Sequence, residues 1–320
     1  MPCCLGHETI SGGDAVNAKA IGNIGASVRQ RLLNKARHEN RPFQELLQYY
    51  AMERFLYRLS VSSWADRFIL KGALLLRVWH APLARPTMDI DMLGRTENAP
   101  ESILSIIHQV LAVENQEDGI VFDPESITVE PITEHADYEG LRIRFRGHLD
   151  AARLNIQLDI GFGDKVYPDP VQESLPSLLH FPQAEMYCYS RESMIAEKFE
   201  VMVKLGILNS RMKDFYDIWM LSRQYNFDGS KLAEAIKQTF EQRKTKLVHP
   251  REIFSRKFID EKQVQWTAFR KRIGLEFLPG DFNQVVQQLE KFLSPIVKAL
   301  LEKGTYGEGW IAPDKWQSNQ

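Results

Sequence analysis

The sequence predicts an α+β protein in which a mixed sheet flanked by helices is followed by an all-helical C-terminal half. Three observations carry this expectation. Short apolar runs of strand length recur between residues 68 and 160. Two stretches with apolar residues at helical spacing precede the first of them. From Arg191 onward the spacing is helical almost to the end of the chain. A sheet-bearing half followed by a helical half is the simplest arrangement that buries all three patterns.

Taken in order, residues 1–24 are rich in Gly, Ala, Ser and Asn and are expected to form a flexible arm. Val28, Leu32, Leu33 and Ala36 mark a first helix, and Leu46, Leu47, Tyr50, Phe55, Leu56 and Leu59 the apolar side of a second. Residues 68–70 read as a short buried strand, after which Gly72 turns the chain into a helix over 73–79. Pro82 and Pro86 make 81–86 a loop. A strand carrying Asp89-Ile90-Asp91 comes next, then a helix over 100–113 and strands over 127–132, 141–145 and 154–160. Residues 168–182 read as irregular, and the clearest later helices cover 193–205, 213–223, 231–243 and 285–301. The expected division is an α/β domain over 25–185, a helical domain over 186–305 and a tail over 306–320.

Composition narrows the function. With 320 residues, 44% hydrophobic and 26% charged, the chain is long enough to bury a substantial core. A net charge of −2 excludes a polycation. Cys3, Cys4 and Cys188 are too few and too unevenly spaced for a disulfide framework or a zinc cage. No apolar run approaches the roughly 18 residues of a membrane span, and the start lacks the layout of a secretory signal. A cytoplasmic protein without a membrane partner is expected.

The chemistry centres on Asp89 and Asp91. Side chains two apart on a strand point the same way, so both carboxylates share one face. Paired hard oxygen ligands suit Mg²⁺, above all when the ion also carries a nucleotide's phosphates. Asp159, in the apolar run 154–160, is a third candidate ligand. The turn Lys71-Gly72-Ala73 is the candidate nucleotide-binding element, since free backbone N–H groups at a helix start bind phosphate and glycine permits close approach. Two Mg²⁺ about 3.5–4 Å apart stabilise both the attacking and the leaving oxygen in nucleotidyl transfer. The plainer reading of an Asp-x-Asp is a strand end facing water, but one glycine turn and three acids in this order point to transfer from an NTP.

Two clusters in the helical half add to this. Lys198, on an otherwise apolar helix, suits a phosphate contact, or it snorkels to solvent. Asp214 and Asp217 fall one turn apart, where acids near a helix start are also favoured by its dipole. Between Arg243 and Arg272, ten Lys and Arg stand against three acids, a local charge of +7. Arg243, Lys244 and Lys246 open that stretch and are candidates for contacting an RNA backbone; the alternative is a solvated helix face.

These motifs resemble the AbiEii/AbiGii toxin nucleotidyltransferases of the DNA polymerase β-like superfamily. The resemblance covers about residues 27–243. It rests on Leu70-Lys71-Gly72-Ala73, Arg85-Pro86-Thr87-Met88-Asp89-Ile90-Asp91, Leu158-Asp159-Ile160-Gly161, Ala196-Glu197-Lys198 and Arg211-Met212-Lys213-Asp214-Phe215-Tyr216-Asp217, in that order. It implies a nucleotidyltransferase-type sheet, catalytic Asp89 and Asp91, a phosphate-binding Lys198, and an Asp214 that orients Lys198 or acts on the acceptor. It also implies an NTP substrate, Mg²⁺ and a partner antitoxin that is a transcriptional repressor. For some relatives the acceptor is the 3′ end of tRNA. One departure stands out: the superfamily has Gly-Ser at the turn, whereas Ala73 keeps the backbone N–H and offers no hydroxyl.

Overall fold

Alternating burial along the strands sets the sheet that organises the first half of the chain. The computed structural model describes residues 13–81, 85–132, 140–275 and 277–318. Helices α1 (Gly13–His38) and α2 (Phe43–Ser60) come first, then β1 (Phe68–Lys71), a 3₁₀ turn (Gly72–Leu74) and the single-turn α3 (Leu75–Val78). Strand β2 (Ile90–Gly94), α4 (Pro100–Leu111), β3 (Ile120–Pro131), β4 (Gly140–Leu149), β5 (Ala152–Phe162), β6 (Val171–Leu175) and β7 (Ala184–Cys188) complete this half. The sheet order is β3-β4-β5-β2-β1-β7-β6. It is mixed: β2 runs parallel to β5 and antiparallel to β1, and β1 runs parallel to β7. Ile90 and Met92 of β2 and Leu158 and Ile160 of β5 enter a core closed by α1, α2 and α4. Period two therefore turns Asp91 and Asp159 to the opposite face.

The second half consists of α5 (Arg191–Leu205), α6 (Met212–Gln224), β8 (Phe227–Asp228), α7 (Gly229–Gln242), α8 (Arg256–Ile273), α9 (Phe282–Glu302), β9 (Glu308–Ile311) and β10 (Lys315–Ser318). These elements enclose a separate apolar cluster around Phe215, Trp266, Phe282 and Trp310, which Leu76 of α3 also enters. No helix among the described residues is long and apolar enough to cross a membrane.

The structure differs from the sequence reading at several points. Residues 1–12 of the expected arm, 82–84 of the expected loop, and 319 and 320 of the expected tail lie outside the described residues. From Gly13 the supposed arm is helical, because Ala15, Ala18 and Ala20 favour helix more than the flanking Gly and Asn oppose it. The helix expected over 73–79 is a 3₁₀ turn followed by one α-turn. The irregular stretch 168–182 contains β6, which pairs with β7. The tail is also structured. Strands β9 and β10 pair with each other and β9 with β8, Trp310 is fully enclosed and donates to the Ser222 carbonyl at 2.6 Å, and Trp316 stacks on Phe292. Two tryptophans seeking burial outweigh the lack of a longer apolar pattern.

Candidate active site

Four charged residues form one row across four strands. Lys71 of β1 is paired with Asp91 of β2, Asp91 with Asp159 of β5, and Asp159 with Arg142 of β4. Directly opposed residues in a sheet share a face, so the register alone gathers them. Carboxylate oxygens of Asp89, Asp91 and Asp159 all lie within 4.8 Å of one another. Three hard donors that close fit a divalent cation. Burial and the neighbouring Asp89 push the Asp91 carboxyl up to about 6, a repulsion that a cation would relieve.

Each carboxylate is held by a different device. Asp89 precedes β2 and accepts a short hydrogen bond from the Thr87 hydroxyl. Thr87 is in turn fixed through its N–H, which the Tyr49 hydroxyl of α2 accepts at 3.0 Å. Gln48, one residue earlier on α2, donates to the Met88 and Asn155 carbonyls at 3.2 and 2.9 Å and ties the approach to β2 against β5. Asp91 fits against Gly72, whose φ is +72°. Asp159 is gripped by both nitrogens of the Arg142 fork, at 2.9 and 2.8 Å. The third candidate ligand thus has a cation of its own, which the sequence pattern does not reveal.

Two ion-pair networks support the row. Ser190 caps α5 by accepting from the Ser193 N–H at 3.0 Å, and that helix presents Glu197 and Lys198 in succession. Lys198 sits between Asp214 (2.9 Å) and Asp217 (2.8 Å) of α6. Asp217 also receives Arg85 through two bonds at 2.9 and 3.0 Å, and Asp214 receives Arg211 at 2.7 Å. Burial raises the Asp214 carboxyl, but Lys198 and Arg211 outweigh it and hold it well below the usual carboxylate range. On the other side, Lys71 pairs with Asp164 at 2.9 Å and with Glu197 at 3.6 Å. Arg243 joins this group at 3.1 Å from Asp164, 3.2 Å from Glu197 and 2.9 Å from Glu200.

Two cavities flank the row. One, of about 230 Å³, is lined by Lys71, Gly72, Ala73, Asp91, Lys198 and Asp214 among others, and carries six Lys or Arg against three carboxylates. The other, of about 220 Å³, contains Asp89, Asp91, Asp159, Arg142 and Gly161. The candidate metal ligands and the candidate nucleotide-binding residues therefore meet at Asp91. The basic stretch does not stay together. Arg243 faces the first cavity and three carboxylates, whereas Lys244 and Lys246 are exposed. Arg243 is thus set apart from the two exposed lysines, because its half-buried guanidinium is the counter-charge for buried Glu200 and for the partly buried Asp164 and Glu197.

Arg85 and Asp217 stand inside the sequence motifs, yet their role emerges only from their pairing. Glu197 and Asp164 also gain a role only from the fold, and each lies near a residue that the sequence does single out.

Among solved structures, the chain is similar to JHP933 from Helicobacter pylori, with 16% identity over 82% of this chain and 95% of that one, at a TM-score of 0.49. It is also similar to a second H. pylori protein, assigned provisionally as a nucleotidyltransferase, with 16% identity over 81% of this chain and 97% of that one, at a TM-score of 0.49. No curated protein matches. The family described as nucleotidyl transferase AbiEii toxin of type IV toxin–antitoxin systems matches residues 54–288, a span from α2 to α9 that includes the row of charges, both cavities and both ion-pair networks. The chain belongs to the AbiEii nucleotidyl transferase toxin family.

Proposed function

We propose that this member transfers a nucleoside monophosphate from an NTP to the 3′ end of an RNA, with tRNA as the favoured acceptor, in a Mg²⁺-dependent reaction centred on Asp89, Asp91 and Asp159. The observation that carries the reading is the convergence of three carboxylates within 4.8 Å of one another, one of which, Asp91, lines both a cationic cavity and the second cavity that holds the other two. A Mg²⁺ pair held by these carboxylates supplies charge neutralisation on the triphosphate and lowers the pKa of the acceptor hydroxyl.

The chain's own groups divide the remaining work. The turn at Gly72 and Ala73 and the cations around it bind the triphosphate in the first cavity. Lys198, fixed by Asp214 and Asp217, adds positive charge to its wall. Asp159 faces the second cavity and takes the proton of the acceptor hydroxyl. Exposed Lys244 and Lys246 follow Arg243 directly, so a polyanion lying on them passes within a few residues' reach of the first cavity. The partner that restrains the activity is an antitoxin of the transcriptional-repressor type, and the site of action is the cytoplasm.

A small-molecule acceptor is the second reading, favoured by the modest volume beside Asp159. Incubating the protein with each α-labelled NTP, Mg²⁺ and total RNA separates the two. Label should enter RNA of tRNA size and be removed by a 3′ exonuclease. Label that appears only in small acceptors would replace RNA as the substrate.

A further inference from the structure

Five of the six Lys and Arg side chains lining the cavity beside Gly72 are committed to carboxylates. The sixth, Lys213, is exposed in the first turn of α6 and forms no ion pair or hydrogen bond with the described residues. It is also one of four residues that line both cavities, with Lys71, Asp91 and Arg211. Lys71 is tied to Asp164 and Glu197, and Arg211 to Asp214. An ammonium in that position holds no part of the fold together. On its flexible stem it remains available to an anion arriving from either side.

We propose that Lys213 is a catalytic residue that grips the transferred phosphoryl group where the two cavities meet. The proposal rests on the nucleotidyl-transfer reading and adds a residue to it. In that reaction the acceptor oxygen forms a bond to the α-phosphorus. The bond from that phosphorus to the α–β bridging oxygen breaks, its electron pair leaves with pyrophosphate, and the hydroxyl proton passes to Asp159. The reacting phosphorus is bonded in part to both substrates at the midpoint, so it must lie at the seam of their two sites. Lys213 is the cation lining both cavities that has no partner to give up first.

The test compares wild type, Lys213→Gln and Lys213→Arg. Thermal melts check the fold, which should be unchanged because the side chain is exposed. Calorimetry with each α,β-imido nucleotide in turn measures binding without turnover, and α-labelled NTP with total RNA measures transfer. The Gln variant is expected to bind the imido nucleotide within about threefold of wild type while kcat falls by roughly 10²-fold, the loss typical of removing one donor that stabilises transition-state charge. The Arg variant should recover a large part of that loss. Wild type should also discriminate between the two α-phosphorothioate diastereomers of the NTP, and the Gln variant should discriminate less. Wild-type kcat and unaltered thio discrimination in the Gln variant overturn the role of Lys213 alone. A wild type that neither binds the imido nucleotides nor transfers label overturns the nucleotidyl-transfer reading and this proposal together.

Discussion

A Cβ on Gly72 would overlap the Asp91 carboxylate and stand 2.7 Å from both its Cβ and its Cγ. The missing side chain of Gly72 is therefore what leaves the space in which the Asp91 carboxylate sits.

Gly72→Ala is expected to abolish transfer, because it displaces Asp91 and also forces a φ of +72° on a residue that resists it at a cost of about 1–2 kcal/mol. Gly163 is the control. Its φ is +80° but nothing lies within 4 Å of a Cβ built there. Gly163→Ala should show the same order of backbone cost in a denaturant melt yet keep its transfer rate. Equal activity in the two variants would mean that Asp91 tolerates displacement.

Asp91→Asn should stabilise the metal-free protein at neutral pH. The Asp91 carboxyl is raised to about 6 by burial and by Asp89, above its unfolded value of about 3.9. The folded state thus holds the extra proton between those values, and stability is lost as pH rises through that window. Melts in EDTA should show the Asn variant ahead at pH 7.5 by on the order of 2 kcal/mol, with the gap largely closed at pH 4.5. A variant less stable than wild type at pH 7.5 contradicts the crowding of Asp89 and Asp91.

Lys198→Ala should cost more in stability than an exposed ion pair does. It strips the shared cation from Asp214 and Asp217, both fully enclosed, and leaves each with one fewer directly paired cation. Breaking a buried pair typically costs about 3–5 kcal/mol. Lys198→Arg should recover part of the stability. A loss under about 1 kcal/mol in the Ala variant would show that the network is solvated.

The candidate site is legible in the sequence where chemistry follows local period. Asp89, Asp91 and Asp159 stand out because strands repeat every two residues, and Gly72 because a turn needs it. What the sequence hides is pairing at long range: Lys71 with Asp164 and Arg85 with Asp217 are 93 and 132 residues apart. No local pattern encodes such partners. Arg142 lies opposite Asp159 only once the β4–β5 register is known. The strand Ala184–Cys188 alternates clearly, with Ala184, Met186 and Cys188 buried, but the prolines upstream make its surroundings read as irregular. Charge masks helix α8, although Phe258, Lys262, Trp266 and Phe269 keep helical spacing on its buried side. Local charge in that stretch likewise does not show that Arg243 is half-buried among carboxylates from elsewhere in the chain while Lys244 and Lys246 are exposed.

Lys244→Glu with Lys246→Glu should weaken RNA use and leave binding of free NTP unchanged, since both side chains are exposed. The slope of log affinity for RNA against log salt should become shallower by about 0.7 for each single-strand phosphate that the variant no longer neutralises. An unchanged slope would remove these lysines from the acceptor surface.

Nucleotidyl transfer by the three carboxylates beside the cationic cavity dictates where each phosphate of the NTP goes. The most direct measurement supplies the same NTP labelled either at the α- or at the γ-phosphate, with Mg²⁺ and RNA, to wild type and to Asp91→Asn. The α label should enter the acceptor and the γ label should leave in pyrophosphate, with wild type active and the Asn variant silent. A γ label in the acceptor, or equal α transfer by the Asn variant, would contradict it.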